Sequence, residues 1–281
     1  MQQLTEEWYQ IRKTKIGASD APIIMGVSPW KTPYQLWEQK MGLSTEKKTT
    51  CHMQRGLDLE HIAREMYEQY KGIPISPEVV FHSNIDWMMA SLDGISFDGK
   101  IIVEIKCPGE KDHLEAVEGR IPEKYYPQVQ HQLAVFPADR VDYVSFRDEN
   151  IAIVSVYRDE DYIDTLIQAE SSFVLHMRTM TAPDMVDRDY IHRDDNLWKI
   201  MSEKWIEAKK KLQSASEIEK NCREALIHMS EGKNVLGGGI SICKYMKQGF
   251  IDYSSIPELK KIDLDAYRRP VSTCYRVTKK F

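Results

Sequence analysis

No apolar run in this chain approaches the twenty or so residues that cross a bilayer as a helix, so no membrane-spanning helix is expected. Cysteine is scarce. The five present (Cys51, Cys107, Cys222, Cys243 and Cys274) are odd in number and include no C-x-x-C pair, and they read as reduced thiols of a cytosolic protein. The opening residues, MQQLTEEWYQ, are acidic and polar and do not read as a signal peptide. Internal repeats and low-complexity tracts are missing. A glycine-rich phosphate loop is missing too, because Gly237-Gly238-Gly239 is followed by neither Lys-Ser/Thr nor a helix. A basic surplus is also lacking: the net charge is −5. A protein of this balance that bound nucleic acid would have to gather its basic groups in a channel. What remains is an ordinary globular composition, 42% hydrophobic and 29% charged. Its 281 residues permit one large domain, or a large and a small one.

The most informative stretch runs from Ser91 to Pro108, SLDGISFDGKIIVEIKCP. Asp93 sits in an Asp-Gly turn signal. The residues Ser96, Asp98, Gly99 and Lys100 read as a hairpin turn. Ile101-Ile102-Val103 is a β-branched run and reads as a buried strand. Side chains alternate along a strand, so Glu104 and Lys106 share one face while Ile105 points into the core. With Asp93 at the end of the preceding strand, two carboxylates and an amine converge at the end of a sheet. Oxygen ligands of that kind suit a hard cation such as Mg²⁺, and a lysine beside it can hold an attacking water, which outlines a phosphodiesterase site.

Four stretches fall in order along the chain, this one among them: Trp8-x-x-x-Arg12 leading into Ile16-Gly17-Ala18-Ser19-Asp20, then Arg55-Gly56-x-x-x-Glu60, Ser91-Leu92-Asp93-Gly94 with Glu104-Ile105-Lys106-Cys107-Pro108, and Tyr126-Pro127-Gln128-Val129-Gln130. The set resembles the PD-(D/E)xK nuclease core, and more closely the YqaJ-type phage recombination exonucleases to which lambda exonuclease belongs. The resemblance covers roughly residues 5 to 180. It implies an α/β fold, a twisted mixed sheet flanked by helices. It implies that Asp93, Glu104 and the backbone carbonyl of Ile105 bind Mg²⁺ (or Mn²⁺), that Glu60 supports a second metal, that Lys106 positions the water, and that Gln128 orients the site. It also implies that Arg12, Ser19 and Ser91 hold a DNA 5′-phosphate. Some relatives of the core carry an iron–sulfur cluster on four cysteines. The wide cysteine spacing here argues against one.

Each of these residues also has a plainer reading. Arg12 near the end of a helix over 4–13 is placed well for the helix dipole. Ser19 is a candidate N-cap of a short helix ending near Gly26. Glu60, beside the apolar stripe Leu59, Ile62, Ala63, Met66 and Tyr67 of a helix over 53–70, can be an exposed ion-pair partner. Gln128 and Gln132 share a helix face and can bond backbone.

Further helices are expected over 33–41, 110–118, 123–136 and 159–180, with Thr32-Pro33 opening the first of them. Residues 44 to 50 read as a polar loop. Strands are expected at 79–81 and 87–90, and 141–146 and 151–156 read as antiparallel partners across Asp148-Glu149-Asn150. The nuclease core is expected to span 1–183 and a C-terminal helical arm with a small β module 184–281, joined by a charged linker, Asp184 to Asp195. Trp198, Met201, Trp205, Ala208, Leu212, Ala215, Cys222, Leu226 and Met229 make a heptad-like seam on one long helix. That seam can pack on the core, form a coiled-coil contact or carry the end of the chain outward. Strands are expected over 240–246, 250–253 and 273–277, with a short helix near 264–267. The basic residues Arg268, Arg269, Arg276, Lys279 and Lys280 close the chain.

The expected function is a metal-dependent exonuclease acting 5′-to-3′ on duplex DNA ends in phage-type recombination, in the cytoplasm of a bacterial host. Family members hand the resected strand to a single-strand annealing protein, and some form rings of three. An endonuclease on the same core is the alternative enzyme. A catalytically silent DNA-binding or recombination-accessory protein is the alternative from another class.

Overall fold

The computed structural model describes residues 5–44, 51–262, 264–268 and 277. They fall into two compact units, Met1–Ile191 and His192–Phe281. The first extends past the expected boundary at residue 183, because Arg188 donates to the Ser28 carbonyl at 3.0 Å and Thr32 Oγ1 bonds the Asp189 carboxylate.

A mixed sheet organises the first unit. Its strands are β1 (Ile16–Gly17), β2 (Ile75–Phe81), β3 (Met88–Ser96), β4 (Ile101–Lys106), β5 (Arg140–Arg147) and β6 (Asn150–Tyr157), ordered β1-β3-β4-β5-β6, with β2 also paired to β3. The β4–β5 pair is parallel and β5–β6 is an antiparallel hairpin. Asp148 and Glu149 turn that hairpin with φ of 48° and 61°, the left-handed pair that a two-residue loop with right-twisted strands requires.

The helices of this unit are α1 (Glu6–Thr14), α2 (Ala21–Ile24), α3 (Pro33–Lys40), α4 (Cys51–Lys71), α5 (Glu110–Val117), α6 (Tyr126–Val135) and α7 (Glu160–Thr179). Those over 33–41, 53–70, 110–118 and 159–180 are found within two residues of expectation. Thr32 caps α3 by accepting from the Gln35 N–H at 3.1 Å. On one face of the sheet, Val129 and Leu133 of α6 and Ile163 of α7 pack against Met88, Ala90, Leu92, Ile102, Val141 and Val156. On the other, Ala63 and Tyr67 of α4 pack against Ile75, Ile101, Val103, Ile105, Val144 and Phe146. β4 is therefore buried on both faces, which is why its apolar run is uninterrupted until Glu104.

The second unit begins with α8 (Asn196–Met229), 34 residues capped by Asp195, whose carboxylate accepts from the Trp198 N–H. At 1.5 Å per residue it is about 50 Å long. None of its residues is buried, so the seam is present in the sequence but is not a core stripe. A hairpin of β7 (Val235–Gly237) and β8 (Ile240–Ile242) follows. Gly238 and Gly239, at φ of 60° and 80°, form its turn, the use of the glycine triplet that the sequence left open. The expected strand over 240–246 shortens to β8. Residues 250–253 are not a strand, and Tyr253–Ser255 is a 3-10 turn instead. A 3-10 turn at Leu264–Tyr267 stands where a short helix was expected. The expected strand at 273–277 and Arg269, Arg276, Lys279 and Lys280 lie outside the described residues (Val277 excepted), as do residues 45–50 of the polar loop.

Candidate active site

The site lies where the sheet forks. β2 occupies one edge of β3 along its length. On the other edge β3 pairs with β1 only through Met88 and Met89, and with β4 only through Gly94 and Ile95. Between those contacts, Ala90–Asp93 and the far half of β4 draw apart. β3 also carries an extra residue at this point. Ser76 of β2 pairs with Ile95, but Glu78, two residues on, pairs with Leu92, three residues back. Such a bulge bends the strand and re-aims a side chain. Asp93 is thus inside β3, not in the turn that its Asp-Gly sequence signals. Gly94 is needed there because a Cβ would stand 2.4 Å from Ile75 Cδ1.

The bulge delivers the Asp93 carboxylate to the fork. Its Oδ2 accepts the Ile105 N–H at 2.8 Å, replacing the ladder bond that β3 no longer supplies. The carbonyl of a strand residue leaves on the same edge as its N–H, so the Ile105 carbonyl faces the fork as well. Glu104, 1% exposed, projects from β4 toward α6. Its Oε1 accepts from Gln128 Nε2 at 2.6 Å and from Lys106 Nζ, and its Oε2 accepts from Gln132 Nε2. Gln128 and Gln132, one turn apart on α6, thereby fix both oxygens of one buried carboxylate. The i,i+4 pair is visible in the sequence, but a role for Gln132 is not.

Burial and the neighbouring Glu104 and Glu60 carboxylates push the Asp93 carboxyl well above the ordinary aspartate range, against the opposing pull of Lys106. Burial alone would lower the Lys106 pKa, but Glu104 and Asp93 outweigh it and hold the ammonium protonated well beyond ordinary lysine. Glu60 stands slightly apart. It pairs with Arg64 one turn along α4, and Arg64 Nε donates to the Asp93 carbonyl at 3.1 Å. Among the described residues, no three His, Cys, Asp or Glu side chains form a ready-made metal cage. An all-oxygen set of Asp93, one Glu104 oxygen and the Ile105 carbonyl, completed by water, nonetheless fits Mg²⁺, which is held by one or two carboxylates and keeps several waters. The raised Asp93 pKa, with two further carboxylates close by, is the local sign that positive charge is wanted there.

The three phosphate-site candidates also come together. Arg12, at the end of α1, donates to Ser19 Oγ at 2.7 Å and lies 4.6 Å over the Trp8 ring. Trp8 Nε1 donates in turn to Ser91 Oγ at 2.9 Å. Ser91 precedes Asp93 by two residues on β3, roughly 6–7 Å of strand. Ser19 is not an N-cap. Gly17 takes that position, and the Asp20 carboxylate folds back to accept the Gly17 N–H at 3.0 Å. Lys40 explains why: buried at the end of α3, it donates at 2.7 Å to Asp20 and to the carbonyls of Arg12 and Lys15. Burial would raise the Asp20 pKa, but Lys40 and Arg12 bring it below the ordinary value. No spacing in the sequence singles out Lys40, which joins α1 to α3 only in three dimensions.

Residues 7–139 match the family described as "YqaJ-like viral recombinase domain". The chain is 31% identical over 176 residues to a Bacillus subtilis (strain 168) protein named "Uncharacterized protein YqaJ", covering 60% of this chain and 54% of that protein. It thus spans about half the length of that curated relative. Among solved structures, an alkaline exonuclease from Laribacter hongkongensis superposes with a TM-score of 0.56 at 28% identity, covering 63% of this chain and 94% of the exonuclease. The same enzyme has been solved in complex with dAMP, with the same score and coverage. The mixed sheet flanked by helices is the PD-(D/E)xK arrangement that the sequence resemblance implied. By fold, by ordered motifs and by family match, residues 7–139 of this chain are similar to the YqaJ-like viral recombinase domain.

Proposed function

We propose that the protein is a metal-dependent DNA exonuclease that removes nucleotides from the 5′-ended strand of duplex DNA during phage-type recombination. The observation that carries this reading is the fork: Asp93, Glu104 and Lys106 gather there, and Ser91, on the strand of Asp93, is linked through Trp8 to the Arg12–Ser19 pair. Mg²⁺ (or Mn²⁺), held by Asp93, Glu104 and the Ile105 carbonyl, supplies charge neutralisation at the phosphate and a more acidic water. Glu60, released from Arg64, would serve a second ion.

The chain's own residues do the positioning. Gln128 and Gln132 hold Glu104 in one orientation. Asp93 fixes the end of β4 through the Ile105 N–H. Lys106, kept protonated by its two carboxylates, donates to the attacking water or to a phosphate oxygen. Arg12 and the two serine hydroxyls offer charge-assisted and neutral donors to a terminal 5′-phosphate. The likeness to the Laribacter alkaline exonuclease supports the same reading. A single-strand annealing protein as partner, a ring of three subunits, and the cytoplasm of a phage-carrying bacterium as setting belong to this proposal.

Digestion of an end-labelled linear duplex alongside a closed circle, with and without Mg²⁺, tests it. Metal-dependent loss of the linear substrate alone is expected. Cutting of the circle would point to the endonuclease, and intact DNA in every lane to a silent binding protein.

A further inference from the structure

Trp30 lies on the turn between α2 and α3 with 62% of its surface exposed. That turn is held firmly. Arg188 donates to the carbonyls of Ser28, Pro29 and Lys31 at 3.0, 3.4 and 3.3 Å, and the Trp30 N–H reaches Ser28 Oγ at 3.3 Å. A large apolar ring is therefore displayed to solvent on a fixed backbone. Inward from it runs a row of rings. Trp30 is 6.2 Å from Tyr125, Tyr125 stacks on Tyr143 at 5.6 Å, and Lys106 Nζ lies 5.6 Å from the Tyr125 centroid. Lys124 Nζ lies beside the first two rings, 5.0 Å from Trp30 and 5.4 Å from Tyr125, and is anchored to Asp112 at 2.6 Å.

Resting on the nuclease reading, we propose that Trp30 is a stacking platform for an unpaired nucleobase of the DNA strand whose phosphate lies at Lys106. The two ring steps place Trp30 within about 12 Å of that ammonium, no more than three or four base steps at 3.4 Å rise. A ring with a free face beside a cation is the pairing by which single strands are gripped, and it accepts any base because every base has a π-face. Stacking on protein replaces stacking on the neighbouring base, so the platform favours an end that has begun to open. The firm hold of Arg188 on the turn keeps the ring from folding away, which lowers the ordering cost of binding.

The test uses the full chain in EDTA, where no cleavage intervenes, and reads fluorescence anisotropy of labelled 5′-phosphorylated oligonucleotides. An abasic site is walked through the first six nucleotides. For the wild type, one position is expected to weaken binding about tenfold, or about 1.4 kcal/mol. Trp30→Ala is expected to lose a similar factor on the intact oligonucleotide and to bind the abasic one no worse than wild type does. Trp30→Phe should keep most of the discrimination. No sensitive position in the wild type, discrimination retained by Trp30→Ala, or equal losses on intact and abasic strands would each overturn the platform. Cleavage assays on the same preparations separate the two claims. Metal-dependent digestion without base discrimination sinks the platform alone. Base discrimination without digestion sinks the nuclease reading alone.

Discussion

The two units of this chain use apolar sequence in opposite ways. In the first, the β-branched run Ile101–Val103 disappears between two layers of helices. In the second, Trp198, Met201 and Leu212 recur along α8 at heptad-like steps and remain more than half exposed. Periodicity reports which residues share a face. Burial follows only where the rest of the chain supplies a partner for that face. In the first unit it also supplies rigidity, because a site that depends on a bulge and on two glutamines gripping one carboxylate needs a packed frame behind it.

That contrast breaks most visibly at the chemistry. Asp93→Asn or Lys106→Met is expected to lower the rate of metal-dependent cleavage by about 10³-fold or more, measured on a short duplex at saturating Mg²⁺. Asn is chosen because Asp93→Ala would also strip the acceptor from the buried Ile105 N–H, at a cost of about 1–3 kcal/mol. If substitutions along α8 slowed cleavage of the same duplex as much, the separation of roles between the units would be wrong.

Stability gives the next largest contrast. Leu133→Ala, at a fully buried position of α6, is expected to destabilise by about 2–5 kcal/mol. Leu212→Ala, 62% exposed on α8, should stay within about 0.5 kcal/mol. Urea unfolding of both variants decides it, and equal destabilisation would mean that the seam is buried in solution by something the single chain does not show.

A buried pair sharpens the picture of the first unit. His131, fully buried on α6, has the Glu170 carboxylate at 2.7 Å on one ring nitrogen and the Met89 carbonyl at 2.8 Å on the other. Burial alone would lower its pKa, but Glu170 and the carbonyl reverse that and raise it above the ordinary value. A group with a raised folded pKa contributes stability that is complete below its unfolded pKa and is lost as pH rises through the folded one. Thermal stability should therefore decline from neutral into alkaline pH, and Glu170→Gln should flatten that decline. A wild-type profile that is level across the range would contradict the charged pair. The smallest effect is expected at the end of the chain. Replacing Arg268, Arg269 and Lys280 by alanine should reduce the log–log salt slope of DNA binding by about one unit for each phosphate no longer neutralised. An unchanged slope would assign the tail to protein contacts instead.

How much of this is legible in the sequence depends on how local its cause is. Strand β4, the shared face of Glu104 and Lys106, and the cap at Thr32 follow from neighbours in sequence and can be read there. Asp93-Gly94 reads as a turn because that dipeptide is a turn signal. Pairing with β2 makes it a bulge instead, with Ile75 packed against Gly94. Ser19-Asp20 before an apolar run looks like a cap, yet Lys40 from another helix draws Asp20 into a different job. The hairpin at Gly238–Gly239 escapes a sequence reading because β7 and β8 are only three residues each, too short for alternation to register. The resemblance to a family supplies the order of the motifs, but not the fork that brings them together.

The central claim is that this fork is a nuclease centre that reads a 5′-phosphate. Its most direct test is the initial rate of Mg²⁺-started digestion of one linear duplex bearing either a 5′-phosphate or a 5′-hydroxyl, for the wild type and for Arg12→Ala. The account predicts faster digestion of the phosphorylated end by the wild type, and a preference reduced about tenfold or more in the variant, the loss expected for one charged hydrogen bond. Equal wild-type rates on the two ends, or a preference that survives Arg12→Ala intact, would contradict it.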